Sequence, residues 1–200
     1  FFAGDYEADL CDDPQALEKA YASGVPMGGV LTRTPDDSAP RFFISAQRDH
    51  GTDLHPANPL ERIQIIKGWV HADGTTSERV VDVLGSETEG LGVDMNSCAA
   101  TAAGHASLCS VWEDPDYTEG EAAFYYARIL ETPSCRWSTL QCQAADVNPL
   151  SNSCGAQADA ANRLANDNGD SGDIYGVCCT NPERDPFYSP TIRERAWTSP

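Results

Sequence analysis

Eight cysteines constrain this 200-residue chain more than any other feature of its sequence. None of them forms a Cys-x-x-Cys pair, and the four histidines are not interleaved with them at the spacing of a zinc site. An even number of cysteines without metal-ligand spacing favours disulfide bonds, which persist in oxidising compartments. The sequence therefore predicts an extracytoplasmic protein that is periplasmic, at the cell surface, secreted or in an organelle lumen.

The sequence predicts only part of the disulfide pairing. Cys98 and Cys109 flank a loop of small residues, so we expect them to bond to each other. The adjacent Cys178 and Cys179 would form a strained ring if joined, so each is expected to reach a different partner. The remaining cysteines are expected to be paired in an unknown order: Cys11, Cys135, Cys142, Cys154, Cys178 and Cys179.

The hydrophobic pattern is that of a β-rich protein. Residues 62–71 carry apolar side chains on both faces, Ile63 and Ile65 on one and Ile66 on the other, as in a central strand. The dipeptide Asp73-Gly74 then predicts a hairpin turn. Further strands are predicted at 41–46, 78–84, 107–112 and 124–131. We therefore expect a mainly β, antiparallel, sandwich-like fold with one or two short helices, by architectural analogy with immunoglobulin-like domains.

The chain is expected to divide into a β-rich module and a cysteine-rich insertion. Residues 1–134 and 192–200 form the expected module, with a short helix after Asp13-Pro14. Residues 135–191 contain five of the eight cysteines, an alanine-rich helical segment at 157–164 and a polar run at 166–173. A connection of this length rarely persists in a compact domain without cross-links, so disulfides are expected to staple it.

Charge and hydropathy exclude two classes of interaction. The chain has 31 acidic and 13 basic residues, for a net charge of −18. Binding to phosphate backbones requires clustered Lys and Arg, so nucleic acid is not an expected partner. No apolar run approaches the roughly 20 residues of a transmembrane helix. The expected partner is protein, either a missing N-terminal region of the same protein or other subunits.

Two polar clusters are candidate cation sites. Asn168, Asp170 and Asp173 offer oxygen ligands for calcium, although their spacing fails the EF-hand pattern. His50 and His55, with two neighbouring aspartates, offer ligands for a transition metal. A solvated surface loop is the preferred interpretation of both clusters. The glycine-rich stretch at 24–29 matches no phosphate-binding motif and is interpreted as a turn, and no catalytic or cofactor-binding residue is assigned.

Six segments in order resemble one protein family. They are FFAG at 1–4, YASGVPMGG at 21–29, LERIQIIKGW at 60–69, FYYARILE at 124–131, P-x-x-RWST at 133–139 and RERAWTSP at 193–200. Together they resemble the C-terminal portion of the domain-of-unknown-function family 3604. These are bacterial and some algal proteins related to the polymerase-and-histidinol-phosphatase-like (PHP-like) metal-dependent phosphoesterases. The resemblance covers 1–200 with interruptions at 35–39, 85–105 and 140–191.

The resemblance implies a β-rich C-terminal module packed against a catalytic domain. In such proteins the metal ligands are expected in the N-terminal portion, which includes a Gly-Asp-Leu-His-x-His strand end. Here Gly4-Asp5 is followed by Tyr6-Glu7, so no catalytic residue of the family is placed on this sequence. The family pattern also continues past Pro200, so the chain is expected to be cut at both ends. A divalent metal is expected only in the parent protein.

We therefore expect a non-catalytic, disulfide-stabilised, β-rich C-terminal module of a larger extracytoplasmic protein, with a packing or binding role. One alternative is that the parent is a metal-dependent phosphoesterase whose catalytic metal site lies in a missing N-terminal region. In that case the stretch at 24–29 and His50 or His55 are the elements expected near its site. A second alternative is an accessory or structural subunit of a larger extracytoplasmic assembly. The chain alone is not expected to be an enzyme, and no cofactor is expected in it beyond the candidate calcium.

Overall fold

The structure is a computed structural model that describes residues 1–33, 38–52, 57–85, 92–94, 96–101, 103–179 and 187–200. The chain forms two units, one comprising 1–88, 104–131 and 194–200 and the other comprising 89–103 and 132–193. Residues 89–103, which the sequence-based division assigned to the β-rich module, thus belong with the cysteine-rich unit.

Strands dominate the first unit and helices the second. The described strands are β1 (Phe2–Gly4), β2 (Gly24–Pro26), β3 (Arg41–Gln47), β4 (Leu60–Val70), β5 (Thr76–Leu84), β6 (Ser107–Glu113), β7 (Ala123–Glu131), β8 (Ser134–Cys135), β9 (Thr191–Ile192) and β10 (Arg195–Trp197). The described α-helices are α1 (Ala16–Ser23), α2 (Trp137–Ala144) and α3 (Cys154–Asp167). Short 3₁₀ turns lie at Leu10–Asp12 and Gly176–Cys178.

The first sheet has the strand order β2-β1-β3-β6, and its neighbouring strands are antiparallel. β3 and β6 pair from Arg41 opposite Glu113 to Gln47 opposite Ser107. Successive side chains of a strand point to opposite faces, so Phe42 and Phe43 lie on different sides of this sheet. Both are almost fully buried, at 2 % and 4 % exposure. The sheet is therefore apolar on both faces.

The second sheet, with the order β10-β7-β4-β5, is built around the strand with the strongest sequence pattern. β4 pairs antiparallel with β7 on one side and with β5 on the other. Ile63, Ile65 and Ile66 are each at most 1 % exposed, which confirms the prediction of a central strand buried on both faces. Gly74 turns β4 into β5 with a φ of 84°, a conformation that favours glycine.

The two sheets share one hydrophobic core, as in a sandwich. Its fully buried members are Phe42, Ile44 and Leu108 from the first sheet and Leu60, Ile63, Ile65 and Ala127 from the second. The mainly β, antiparallel fold class predicted from the sequence is confirmed. The described residues contain three short α-helices, because α2 forms in addition to the two helical segments that the sequence indicated. None of the described helices has the length and apolar character to cross a bilayer.

α1 and the first 3₁₀ turn cover the face of the first sheet that points away from the shared core. A second apolar cluster forms there from Phe2, Tyr6, Leu10, Ala20 and Phe43. The Tyr6 hydroxyl donates a hydrogen bond of 3.0 Å to the carbonyl oxygen of Ala20 at the centre of this cluster. This bond satisfies a buried phenol and ties α1 to the strand region that precedes it.

The predicted bond between Cys98 and Cys109 is wrong. Cys109 is bonded to Cys11, and Cys98 is bonded to Cys135, with Cα–Cα distances of 5.8 and 5.7 Å. The register of β6 places Cys109 opposite Ser45, on the face of the first sheet that carries the 3₁₀ turn with Cys11. Cys98 lies in the segment 89–103, which belongs to the second unit. The sheet register sets the direction of the Cys109 side chain. This direction decides its disulfide partner, although Cys98 is closer to it along the chain.

Two disulfides organise the helices of the second unit. Cys142 of α2 is bonded to Cys178, and Cys154 of α3 is bonded to Cys179. The prediction that the adjacent cysteines reach different partners is thus confirmed. All eight cysteines are paired. The buried cluster around these two bonds also contains Val147, Ala158 and Ala161.

Candidate functional site

The glycine-rich stretch at 24–29 forms β2 and the turn that follows it. At Gly24, a Cβ atom would lie 2.0 Å from the Tyr6 hydroxyl oxygen and 2.4 Å from the carbonyl oxygen of Ala3, so the position has room only for glycine. Gly28 has a φ of 81°, which other residues adopt at a cost. Packing at Gly24 and backbone conformation at Gly28 therefore both favour glycine. The interpretation of the whole stretch as a turn is wrong for residues 24–26, which pair with β1 as a strand, and the turn follows them.

The turn forms one wall of a pocket in the first unit. This pocket, here called the aromatic pocket, has a volume of about 620 Å³ and is bounded by the turn at 25–31, by Phe1 and Phe42, and by Tyr117 with residues 119–125. Pockets for small ligands commonly measure about 300–1,000 Å³. A second hollow of about 650 Å³, beside Trp69 and Phe124, is more open to solvent.

Three aromatic rings pack against one another at the aromatic pocket. The Phe1 ring stacks on Phe42 with a centroid distance of 5.6 Å and an interplanar angle of 11°. The Phe42 ring in turn packs against Tyr125 at 4.4 Å. Phe42 is only 2 % exposed and belongs to the shared core, so its neighbours hold it in place. The three rings are therefore anchored from behind and do not depend on a ligand to assemble.

A buried network fixes the Tyr125 ring from the side away from the pocket. The Tyr125 hydroxyl donates to Asp114 Oδ2 at 2.7 Å, and Lys67 Nζ lies 2.6 Å from the same oxygen. Lys67 Nζ also donates to the carbonyl oxygen of Asp116 at 2.9 Å. Burial, followed by the hydrogen bond to Asp114, raises the pKa of Tyr125 above its usual range. The phenol therefore stays protonated at neutral pH and is a poor base.

The pocket lining has an excess of negative charge. Glu119 and Glu121 are among its lining residues. Glu121 Oε1 is 3.6 Å from Nδ1 of His71, whose side chain is partly exposed. Arg33 also lines the pocket, but its Nη1 contacts both carboxylate oxygens of Asp5 at 3.0 and 3.1 Å. The positive charge of Arg33 is thus compensated by Asp5, so the side chains of the described lining carry an excess of negative charge from Glu119 and Glu121.

The candidate calcium ligands lie in and after the turn that ends α3. Asp173 Oδ1 accepts hydrogen bonds of 2.7 Å from Asn162 Nδ2 and from the backbone N–H of Gly176. Asp173 thus closes the connection between α3 and the second 3₁₀ turn, which gives it a structural role. Asn168 and Asp170 are exposed in the preceding turn. Calcium binding by these residues stays a prediction.

The candidate transition-metal pair is only partly described by the structure. His50 is exposed in the loop after β3, and His55 lies outside the described residues. In the part of the chain that the structure describes, no group of three or more His, Cys, Asp or Glu side chains is arranged to hold a metal ion.

Sequence reasoning missed the network of Lys67, Asp114 and Tyr125. One signal was present, because Lys67 is one of only two lysines in the chain and interrupts an apolar central strand. A lysine in such a strand needs a buried partner. The identity of that partner depends on the register between β4 and β7 and on the turn after β6, which the sequence pattern does not provide.

Comparison with known proteins gives one match. No curated protein and no solved structure matches the chain. A family model described as a protein of unknown function, DUF3604, matches residues 1–162 of the 200. This range contains both four-stranded sheets except β10, and it contains the whole of the aromatic pocket except Pro200. The chain therefore belongs to the DUF3604 family.

Proposed function

We propose that this chain is a non-catalytic, disulfide-stabilised binding module of a larger extracytoplasmic protein and that the aromatic pocket is its binding site. The pocket itself carries the proposal. One wall is a turn whose glycines are required by packing and by backbone conformation. The lining also contains Tyr125, which Asp114 holds through its hydroxyl. A pocket with walls fixed in advance needs little reorganisation to bind a ligand.

The polar groups beside the pocket support binding more than catalysis. The Asp114 carboxylate is engaged by Lys67 and Tyr125, and the raised pKa of Tyr125 disfavours its use as a base. Acid–base catalysis needs a group with a pKa near the working pH. The pocket instead offers aromatic faces and two carboxylates, a composition suited to recognition.

A substitution that fills the pocket tests the proposal. Met27 lines the pocket and is 54 % exposed, so a tryptophan there adds bulk to the cavity without disturbing the core. We expect Met27→Trp to weaken binding of a small aromatic probe such as benzyl alcohol at least about tenfold, measured by ligand-observed NMR. Leu17→Trp is the matched control, because Leu17 is 60 % exposed on α1 and outside the pocket. Equal binding by the two variants would exclude the aromatic pocket as the site.

The proposed extracytoplasmic location rests on the four disulfides. Such bonds form and persist in oxidising compartments. Alkylation of the natively isolated protein, without reductant, is expected to label none of the eight cysteines. Labelling of several cysteines would place the protein in a reducing compartment instead.

A second candidate function concerns the parent protein, which is proposed to be a metal-dependent phosphoesterase related to the PHP-like enzymes. The position of the stretch at 24–29 in a pocket wall supports it, since this stretch is the element expected near such a site. A longer native chain should then hydrolyse a model phosphate ester with a divalent metal ion. No turnover with any metal would exclude this candidate.

A role as an accessory subunit of a larger extracytoplasmic assembly is a third proposal. It predicts that the native protein copurifies with other subunits at a fixed ratio. A monodisperse, lone monomer from the natural source would contradict it.

A further inference from the structure

We infer that the aromatic pocket takes an apolar cation, that is, an ammonium group carried on a ring or a short hydrocarbon. The inference rests on the proposed binding function and specifies the ligand class for the same site. Three features of the pocket carry it: the faces of its aromatic rings, the charges of its lining, and its volume.

The aromatic rings offer the electron-rich faces that attract cations. A cation within about 6 Å of a ring centroid gains electrostatic attraction from the ring quadrupole. Phe42 is buried between Phe1 and Tyr125, so the faces available to a ligand belong to the partly exposed Phe1 and Tyr125. Tyr125 already takes part in one contact of this kind, because Lys67 Nζ lies 5.7 Å from its ring centroid. A cation in the pocket can contact the same ring, because Asp114 compensates the charge of Lys67.

The charges around the pocket favour a positive ligand over a negative one. Lys67 is compensated by Asp114 at 2.6 Å, and Arg33 is compensated by Asp5. Glu119 and Glu121 also line the pocket, so its side chains carry an excess of negative charge. His71 faces Glu121 at 3.6 Å from a partly exposed position and adds positive charge only when protonated. An anionic ligand would have to approach the two carboxylates within a chain of net charge −18.

The volume and the aliphatic lining indicate that the cation carries an apolar body. A pocket of about 620 Å³ is much larger than an ammonium group alone requires. Val25, Met27 and Leu31 line the part of it formed by the turn and the residues that follow. Contact with these side chains favours a hydrocarbon or a ring by burial of apolar surface. Ammonium ions with a phenyl or alkyl substituent meet both requirements.

Three probes that share one ring separate charge from shape. Benzyltrimethylammonium, benzyl alcohol and benzoate carry a positive, a neutral and a negative group on the same benzyl or phenyl body. We expect isothermal titration or ligand-observed NMR to show benzyltrimethylammonium binding about tenfold more tightly than benzyl alcohol. Benzoate is expected to bind most weakly, because it meets the carboxylates of Glu119 and Glu121.

Substitution of Glu119 and Glu121 tests whether their carboxylates cause the preference for the ammonium probe over benzyl alcohol. The double substitution Glu119→Gln and Glu121→Gln should reduce the preference for the ammonium probe over benzyl alcohol from about tenfold to within about threefold. Glu18→Gln is the matched control, because Glu18 is an exposed acid on α1 outside the pocket. It should keep the full preference. A preference that survives the double substitution would overturn the role given to the two glutamates.

The outcomes distinguish failure of the inference from failure of the proposed function. Equal affinity for benzyl alcohol and benzyltrimethylammonium, or tightest binding of benzoate, would overturn the cation specificity and leave the aromatic pocket as a binding site. Binding of none of the three probes at millimolar concentration would overturn both. Tightest binding of the ammonium probe, with loss of the preference in the double variant, supports both.

Discussion

Lys67 Nζ lies 2.6 Å from Asp114 Oδ2, and their side chains are only 4 % and 2 % exposed. This pair joins the central strand β4 to the turn after β6, and it holds the Tyr125 hydroxyl at the back of the aromatic pocket. Two opposite charges that are taken out of water together stabilise each other, whereas either one alone carries a large desolvation penalty. The pair therefore links the stability of the sandwich to the geometry of the pocket.

Removal of one partner of this pair should strongly destabilise the protein. Lys67→Met leaves Asp114 buried with an uncompensated charge, and we expect the free energy of unfolding to fall by about 3–5 kcal/mol in denaturant titrations. Arg79→Gln is the control, because Arg79 and Asp116 form an ion pair whose side chains are about half exposed. Loss of this exposed ion pair should lower the free energy of unfolding by about 1 kcal/mol or less. Similar losses in the two variants would contradict the buried character of the first pair.

Two glycines should respond in opposite ways to alanine. Gly24→Ala places a Cβ against the Tyr6 hydroxyl and the carbonyl oxygen of Ala3, so the free energy of unfolding should fall by about 1–3 kcal/mol. Gly155→Ala lies in α3, where a Cβ meets no described atom within 4 Å. Alanine is the better helix former, so this variant should be more stable by up to about 1 kcal/mol. Thermal melts of both variants beside the wild type provide the comparison.

The disulfides should contribute to stability in the order of the loops that they close. Cys11–Cys109 spans 98 residues and Cys154–Cys179 spans 25. Paired substitution with alanine should therefore cost about 4–5 kcal/mol for the first and about 3–4 kcal/mol for the second, since longer loops restrict the unfolded chain more. Peptide mapping without reductant checks the pairing itself, and a peptide that links Cys98 to Cys109 would contradict the structure.

Alkaline pH should destabilise the first unit through Tyr6. Burial, and then the charge of Asp5, raises the pKa of Tyr6 to about 12, whereas tyrosine in an unfolded chain titrates near about 10. Between these values the unfolded state loses a proton that the folded state keeps. Stability is thus fully present below about pH 10 and declines as the pH rises toward about 12.

Denaturant titrations at about pH 9 and about pH 11 measure this decline. Tyr6→Phe, which cannot ionise at this position, should show a smaller decline between the two pH values even though it loses the bond to Ala20. Parallel declines in the wild type and the variant would assign the effect to other groups.

The strands could be predicted from the sequence because their pattern is local. The two-residue period of a strand places Ile63 and Ile65 on one face and Ile66 on the other. The turn at Asp73-Gly74 follows from the preference of this dipeptide for hairpin turns. The helix α2 was missed because its N-cap residue is Arg136, whose side chain has no oxygen to accept a backbone N–H, whereas Asp13-Pro14 signals the start of α1.

The pocket and the disulfide pairing depend on contacts between residues distant in the sequence, so the sequence pattern could not provide them. Phe42 and Tyr125 meet at a centroid distance of 4.4 Å because β3 and β7 belong to sheets that face each other. Cys109 meets Cys11 because the register of β6 turns its side chain away from the shared core. In contrast, Gly28 could be recognised as a turn residue because its positive φ is a local requirement, whereas Gly24 is required by packing against Tyr6 and Ala3.

Mapping of a bound probe onto the protein tests the central claim most directly. Backbone amide shifts in ¹H–¹⁵N NMR spectra, recorded during titration with benzyltrimethylammonium, should change at Gly28 and Gly29 and in residues 117–125. The same titration of Met27→Trp should show these changes strongly reduced. Shifts confined to the more open hollow beside Trp69, or no shifts at all, would contradict the assignment of the aromatic pocket as the binding site.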